Sequence, residues 1–338
     1  MKQATMVSPG MIEMREVEKP VLRPGEALLK IKRVGICGSD VHISHGTLPF
    51  VQYPIVQGHE ACGDVVETCE CKDIRAGDRV VIMPRIICGE CDACISGSTN
   101  FCEKLQIIGV HINGVCAEYV SIPEESIVRI PERISYDIGA MIEPLAVAVH
   151  SVNLVGEVKD KCVLVMGAGM IGNLVAQVAK ARGAKVMIVG RTQYRLDFAE
   201  QFGIDYCINE KSEEVAQSIS NAFGQGADIC IECIGVAKSV NDCFAFCKRG
   251  GTVVIVGIFG EKQLIDMFSL QDKELVVRGA MLYVRQDFQE SIALIDQGKL
   301  KLEPLISAHF GLEAFEGAYQ YISDKSNPVM KVMIDICE

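Results

Sequence analysis

Hydrophobic and polar residues alternate over short stretches through the first 145 residues. EALLKIKRVG (26–35), HEACGDVVET (59–68) and GDRVVIMP (77–84) carry this alternation and are punctuated by Gly and Pro. That is the pattern of half-buried strands in an antiparallel or barrel-like domain. Near residue 146 the pattern changes. KCVLVM (161–166) is a continuous apolar run suited to a strand buried on both faces, and the helical stretch IGNLVAQVAKARG follows it. KVMIVG, a helix around YRLDFAEQFG, then DYCIN, ADICIEC, GTVVIVG and ELVVRGA continue the sequence of strands. Six strands with intervening helices predict an α/β doubly wound parallel sheet over 146–284. The last segment, with one more helix and strand, is expected to return to the first domain, which would then comprise 1–145 and 285–338.

The length of 338 residues suits two domains, and 49% hydrophobic residues can bury a large core, which argues against disorder. No run approaches the ~20 apolar residues that span a bilayer. The N-terminal twenty residues are charged throughout and lack an apolar signal core, so a cytoplasmic location is expected. A net charge of −11 argues against a nucleic-acid partner, because phosphate binding needs a basic face. No basic amphipathic segment suggests a membrane partner. Sixteen cysteines in a long chain without a signal point to metal rather than disulfides. The scattered ones (Cys162, Cys207, Cys230, Cys233, Cys243, Cys247) read as small buried hydrophobes.

Gly167-Ala168-Gly169-Met170-Ile171-Gly172 follows a predicted strand and opens a predicted helix, the context that makes a G-x-G-x-x-G run a dinucleotide site. The first glycine permits the tight turn, the second lets backbone approach the pyrophosphate, and the third lets helix and strand pack closely. The helix N-terminus offers the phosphates unpaired N–H groups. An NAD site places Asp or Glu about 20 residues further on to hold the ribose hydroxyls. Gly190 stands there, followed by Arg191 and Thr192, with Arg195 four residues beyond Arg191. A missing carboxylate and an available guanidinium predict a preference for NADP(H), with NAD(H) as the lesser partner.

Cys88, Cys91, Cys94 and Cys102 place four thiolates within 15 residues, in a lobe at 86–104. Such spacing suits one tetrahedral zinc with no open position, a structural ion. A second set is dispersed: Cys37 in GICGSDVH, His59 and Glu60 in QGHEACGD, and Glu143 in MIEPLAVAVH. Thiolate, imidazole and carboxylate together suit a zinc with an open position. Two Zn2+ per chain are therefore expected.

The GHE segment, the four-cysteine lobe, the EPLAV segment and the glycine loop occur in the order of the zinc-dependent medium-chain dehydrogenases, which the chain resembles along essentially its whole length. The resemblance implies a GroES-like catalytic domain, a Rossmann cofactor domain and a cleft between them. It matches Cys37, His59 and Glu143 to positions around the catalytic zinc, and Glu60 to a residue that ligates the metal or steers its ligands. Carboxylate at Glu143, where typical alcohol dehydrogenases carry Cys, resembles the sorbitol and polyol dehydrogenase branch, and which of Glu60 and Glu143 touches zinc stays open. Ser39 matches the proton-relay hydroxyl and His42 the relay histidine, while Gly38 replaces a basic pyrophosphate partner. SDVHISHGTLPF and LQIIGVHINGVCAEY are similar to the bacterial branch that oxidises hexonates and related sugar acids.

The activity implied is hydride transfer between a secondary alcohol of a polyol or sugar acid and the nicotinamide. Ser39 would take the hydroxyl proton and pass it to His42 and solvent. Substrate contacts are expected among His45, Phe50, His111, Tyr283 and Arg285, the last toward a carboxylate, with Glu118 supporting the site. An L-threonine or simple secondary-alcohol dehydrogenase is the rival within enzymes. A non-catalytic cofactor-binding protein on the same fold is the rival outside them, and the complete ligand set argues against it. Relatives of this kind commonly form homodimers or homotetramers.

Overall fold

The computed structural model describes residues 1–48 and 51–337. The elements that position the site begin with β1 (Glu26–Ile36), α1 (Gly38–Ser44), β2 (Glu60–Cys69), β3 (Arg79–Ile82), β4 (Tyr119–Pro123), β5 (Ile127–Arg129) and α2 (Ile142–Asn153). Strand–helix alternation follows: β6 (Cys162–Met166), α3 (Met170–Ala181), β7 (Lys185–Gly190), α4 (Gln193–Gln201), β8 (Tyr206–Asn209), α5 (Val215–Phe223), β9 (Ala227–Glu232), α6 (Ala237–Phe246), β10 (Cys247–Ile255), α7 (Met267–Asp272) and β11 (Val276–Gly279). The chain ends with α8 (Arg285–Asp296), β12 (Ile306–Gly311) and β13 (Lys331–Asp335).

The chain forms two compact units. One holds Met1–Glu143, Val284–Phe288 and the segment from Leu302 onward, and the other holds Pro144–Tyr283 and Gln289–Lys301. This division departs from the boundaries expected from sequence at the C-terminal side. Residues 289–301 stay with the second unit because Glu290 of α8 accepts from Arg182 (2.5 Å) and Asn153 (3.3 Å). Gln177 and Lys301 also exchange hydrogen bonds of 2.8 and 3.2 Å.

The first unit is built on a seven-stranded sheet ordered β12-β13-β1-β2-β3-β5, with β4 also pairing β1. Alternate residues of β1 (Ala27, Leu29, Ile31) face inward at 0% exposure, as expected of a sheet packed on one face. The register sets Gly35 of β1 opposite Glu60 of β2 and Met333 of β13. The second unit is a six-stranded parallel sheet ordered β8-β7-β6-β9-β10-β11. The order reverses between β6 and β9, the switch point outside whose carboxyl ends such sheets bind ligands. Val163, Leu164 and Val165 of β6 are fully buried, the reason that strand reads as an unbroken apolar run. Of the scattered cysteines, Cys230, Cys243 and Cys247 are core residues, whereas Cys162, Cys207 and Cys233 are only half-buried. Among the described residues, no helix is long and apolar enough to cross a membrane.

Candidate active site

β1 ends at Ile36, and Cys37 is the residue from which α1 starts. The carboxylate of Asp40, 2% exposed, accepts from the Cys37 N–H at 2.9 Å and so fixes the turn that carries the thiol. β1 and β2 run antiparallel, which brings His59 and Glu60 beside Cys37. The Sγ of Cys37, a ring nitrogen of His59 and a carboxylate oxygen of Glu60 all lie within 4.8 Å of one another. Glu143, 7% exposed, is not part of that group. It lies near enough to favour the charged forms of His59 and Lys331.

The surroundings suit a cation. Nδ1 of His59 and Oδ1 of Asp40 are buried without hydrogen-bond partners, 3.7 Å apart. That is too long for a hydrogen bond, but it directs Nδ1 toward Asp40 and leaves Nε2 for a metal. Burial works against charge on His59, yet the Asp40 carboxylate and the Cys37 thiol outweigh it and raise its pKa well above the usual value. Asp40, Glu60 and Glu143 all bear on one buried ammonium, Lys331. A buried surplus of carboxylate calls for a further positive charge. Thiolate, imidazole and carboxylate form a three-donor set of the open, catalytic kind for zinc.

Glu60 is held by a residue distant in sequence. Lys331, 3% exposed, donates from Nζ to Glu60 Oε2 at 2.5 Å and to the Ile36 carbonyl at 3.0 Å. Gly35 makes room for this pair, since a Cβ there would lie 2.3 Å from Glu60 Oε2 and 3.3 Å from Lys331 Cδ. A second buried chain runs from the Tyr319 hydroxyl to Gln57 Oε1 (2.9 Å), and from Gln57 Nε2 to the Asp40 carbonyl (2.9 Å).

On α1, Ser39 is half-buried and His42, three residues on, is exposed. The Thr47 hydroxyl donates its proton to the His42 carbonyl (3.0 Å), so His42 Nδ1 is the donor in its 3.1 Å bond to Thr47 Oγ1. The ring is thereby held with Nε2 as a proton acceptor on the solvent side.

The four-cysteine lobe fits a closed zinc site. Cys88 Sγ lies 3.6 Å from Cys102 Sγ and 3.9 Å from Cys94 Sγ, against the ~3.8 Å edge of a zinc tetrahedron with ~2.3 Å bonds. All four sulfurs lie within 4.8 Å of one another. Backbone N–H groups, that of Glu103 foremost, lower the Cys91 thiol to about 6 and favour the thiolate.

In the second unit the glycine loop joins β6 to α3. Gly167 has φ +110°, and a Cβ on Gly172 would lie 1.7 Å from the Gly167 carbonyl oxygen. Asn173, fully buried, ties the loop by donating to the carbonyls of Ala168 (2.9 Å), Gly169 (3.2 Å) and Arg195 (3.3 Å). Met170 and Ile171 open the helix, half-buried. At the end of β7 a Cβ on Gly190 would lie 2.6 Å from Ala168 Cβ. No side chain fits there without displacement. Arg191 follows with its side chain 70% exposed, Thr192 occupies the N-cap position of α4 without a side-chain capping bond, and Arg195 Nε donates to the Tyr194 hydroxyl at 3.1 Å.

Comparison with known proteins agrees with both units. Residues 23–132 match the alcohol dehydrogenase GroES-like domain and 171–297 the zinc-binding dehydrogenase domain. The L-galactonate-5-dehydrogenase of Escherichia coli is 34% identical over 90% of each chain. The chain belongs to the zinc-dependent medium-chain dehydrogenases. An L-threonine 3-dehydrogenase of Photobacterium profundum is 35% identical over 96% of this chain and 95% of its own. Among solved structures, a protein of Sinorhizobium meliloti described as a zinc-binding dehydrogenase, with NADP bound, matches 99% of both chains at TM-score 0.92 and 33% identity.

Several residues expected to meet substrate have other roles in this medium-chain dehydrogenase. Tyr283 is a core side chain, 1% exposed. The Arg285 guanidinium donates to the backbone carbonyls of Glu125 (2.6 Å) and Ile127 (3.1 Å), so it is not a free fork for a carboxylate. Glu118 accepts from the Lys2 N–H at 2.7 Å, and His111 Nδ1 accepts from the Ile107 N–H at 3.0 Å, both ties that order local backbone. His45 is exposed beyond α1, and Phe50 lies outside the described residues. Asp40, Gln57, Asn173, Tyr319 and Lys331 were not anticipated from sequence. Asp40 had a signal, being an acid three residues after a helix start, whereas Lys331 had none.

Proposed function

We propose that this dehydrogenase transfers hydride between a secondary alcohol of a polyol or sugar acid and NADP(H), with NAD(H) used less well. The convergence of Cys37, His59 and Glu60 carries the reading. Zinc, when bound there, supplies the Lewis acidity that lowers the proton affinity of a hydroxyl oxygen. Asp40 and Lys331 hold two of the donors in place. Ser39 accepts the hydroxyl proton as it releases its own, and His42, with Nε2 free to accept, passes the released proton on to solvent. The glycine loop, ordered by Asn173, would hold the cofactor, which would supply the hydride acceptor when bound. The lobe of Cys88, Cys91, Cys94 and Cys102 holds the second, structural zinc. Gly190 supports NADP over NAD because a carboxylate cannot stand there, and Arg191 offers the 2′-phosphate a partner.

The sugar-acid assignment draws on the galactonate-oxidising relative, and the threonine dehydrogenase keeps an amino-acid substrate as the rival. A panel of aldonates, polyols, threonine and 2-butanol, run with NADP and with NAD, tests both assignments. Turnover is expected to be greatest with an aldonate or polyol and NADP. Highest kcat/KM with threonine, or a clear preference for NAD, would reject the corresponding part. The expected location remains the cytoplasm, with no nucleic-acid or membrane partner.

A homo-oligomer is also proposed. β11 ends the parallel sheet with all four residues exposed, Val276 at 47% and Val277 at 39%, and among the described residues no strand pairs its outer edge. Such an edge invites a strand from a second copy. Val276→Asp with Val277→Asp is expected to shift the protein to monomers in analytical ultracentrifugation. An unchanged sedimentation coefficient would place the interface elsewhere.

A further inference from the structure

The geometry points to Glu210 as a specificity-determining residue that opposes the 2′-phosphate of NADP by occupying the cations meant for it; this rests on the reading of Arg191 above. Glu210 follows β8, and its backbone N–H donates to the Gly190 carbonyl at 3.0 Å. It therefore stands at the corner where a carboxylate on the preceding strand would have recognised ribose hydroxyls. Its Oε1 lies 3.3 Å from Arg191 Nε and its Oε2 3.4 Å from Lys238 Nζ. Lys238, from α6, is held in turn by Asp242 at 2.5 Å. Arg191 and Lys238 are thus matched by Glu210 and Asp242, so these four side chains together offer an arriving phosphate dianion no net positive charge.

The arrangement has two consequences. Lys238 becomes a second phosphate partner that no glycine-loop pattern reveals, because it is supplied by the helix after β9. Glu210 must yield when the phosphate binds. Arg191 and Lys238 are 70% and 71% exposed, so the ion pairs to be broken are weak, and a dianion outcompetes a single carboxylate. The residual repulsion is what keeps NAD competitive. Removing Glu210 frees both cations and sharpens the preference for NADP.

The test is direct binding, by fluorescence titration of NADPH and NADH on the zinc-loaded protein, for wild type, Glu210→Gln, Lys238→Ala and Arg191→Ala. Glu210→Gln is expected to tighten NADPH by roughly two- to fivefold, the size of exposed charge interactions, without tightening NADH. Lys238→Ala is expected to weaken NADPH by a similar factor. Both effects should shrink in high salt, as screened charges require and a structural role would not. If Arg191→Ala weakens NADPH but Glu210→Gln leaves the NADPH-to-NADH ratio unchanged or lowers it, this inference fails and the reading of Arg191 stands. If Arg191→Ala binds NADPH like the wild type, both fail. The NADH affinity of each variant reports whether the site has folded.

Discussion

Cys37→Ser is expected to reduce turnover by roughly 10³-fold or more, the loss of several kcal/mol of transition-state stabilisation that a Lewis acid supplies. Cys37 contributes the one soft donor among the three groups that lie within 4.8 Å. A serine hydroxyl is neutral at working pH and a poor zinc ligand. The backbone should hold, because the bond from the Cys37 N–H to the Asp40 carboxylate does not depend on the thiol. The glycine loop belongs to the other compact unit, so NADPH affinity is expected to change little. Metal analysis adds an independent readout: zinc should fall from two per chain to one, the remaining ion held by the cysteine lobe. Retained turnover would show that the reacting oxygen is not activated at this cluster. Loss of both ions would show that the two sites are not independent.

Local signals were legible in the sequence where local chemistry decides the structure. The strands β6 and β7 were readable because burial on both faces demands unbroken apolar runs, and Gly167 and Gly172 because no other residue fits their turn. The cysteine lobe needs only fifteen neighbouring residues, so its spacing announced it. Cys37, His59, Glu60 and Glu143 were read together as a zinc set from their chemistry and from the family resemblance, with the choice between Glu60 and Glu143 left open. The antiparallel register of β1 and β2 is what brings Glu60, not Glu143, into the close group with Cys37 and His59. Substrate contacts were poorly legible. Arg285 and Tyr283 looked available because sequence does not reveal which side chains backbone carbonyls or the core will claim. The return of 289–301 to the second unit was hidden for the same reason. It depends on Glu290 meeting Arg182 across more than a hundred residues.

Lys331→Met is expected to be the most destabilising single change away from the zinc donors. A lone lysine near the end of a chain reads as a surface charge, yet this one is 3% exposed and shared between Glu60 Oε2 and the Ile36 carbonyl. Methionine fills similar volume, so the cost is electrostatic. In the zinc-free protein it leaves a buried carboxylate, 1% exposed, without its partner, a loss of about 3–5 kcal/mol in comparable pairs. The second substitution decides the cause. Glu60→Gln in the Lys331→Met background removes the stranded charge and should restore much of the urea midpoint, whereas Glu60→Gln alone should not stabilise. A double variant as unstable as Lys331→Met would mean that packing, not charge, is what Lys331 contributes. The same pair bears on chemistry, because Lys331 draws Glu60 Oε2 toward itself. Lys331→Met that still folds is therefore expected to alter zinc affinity as well as stability, measured by competition with a chelator. Unchanged affinity at the one-zinc step would show that Glu60 takes no part in holding the ion.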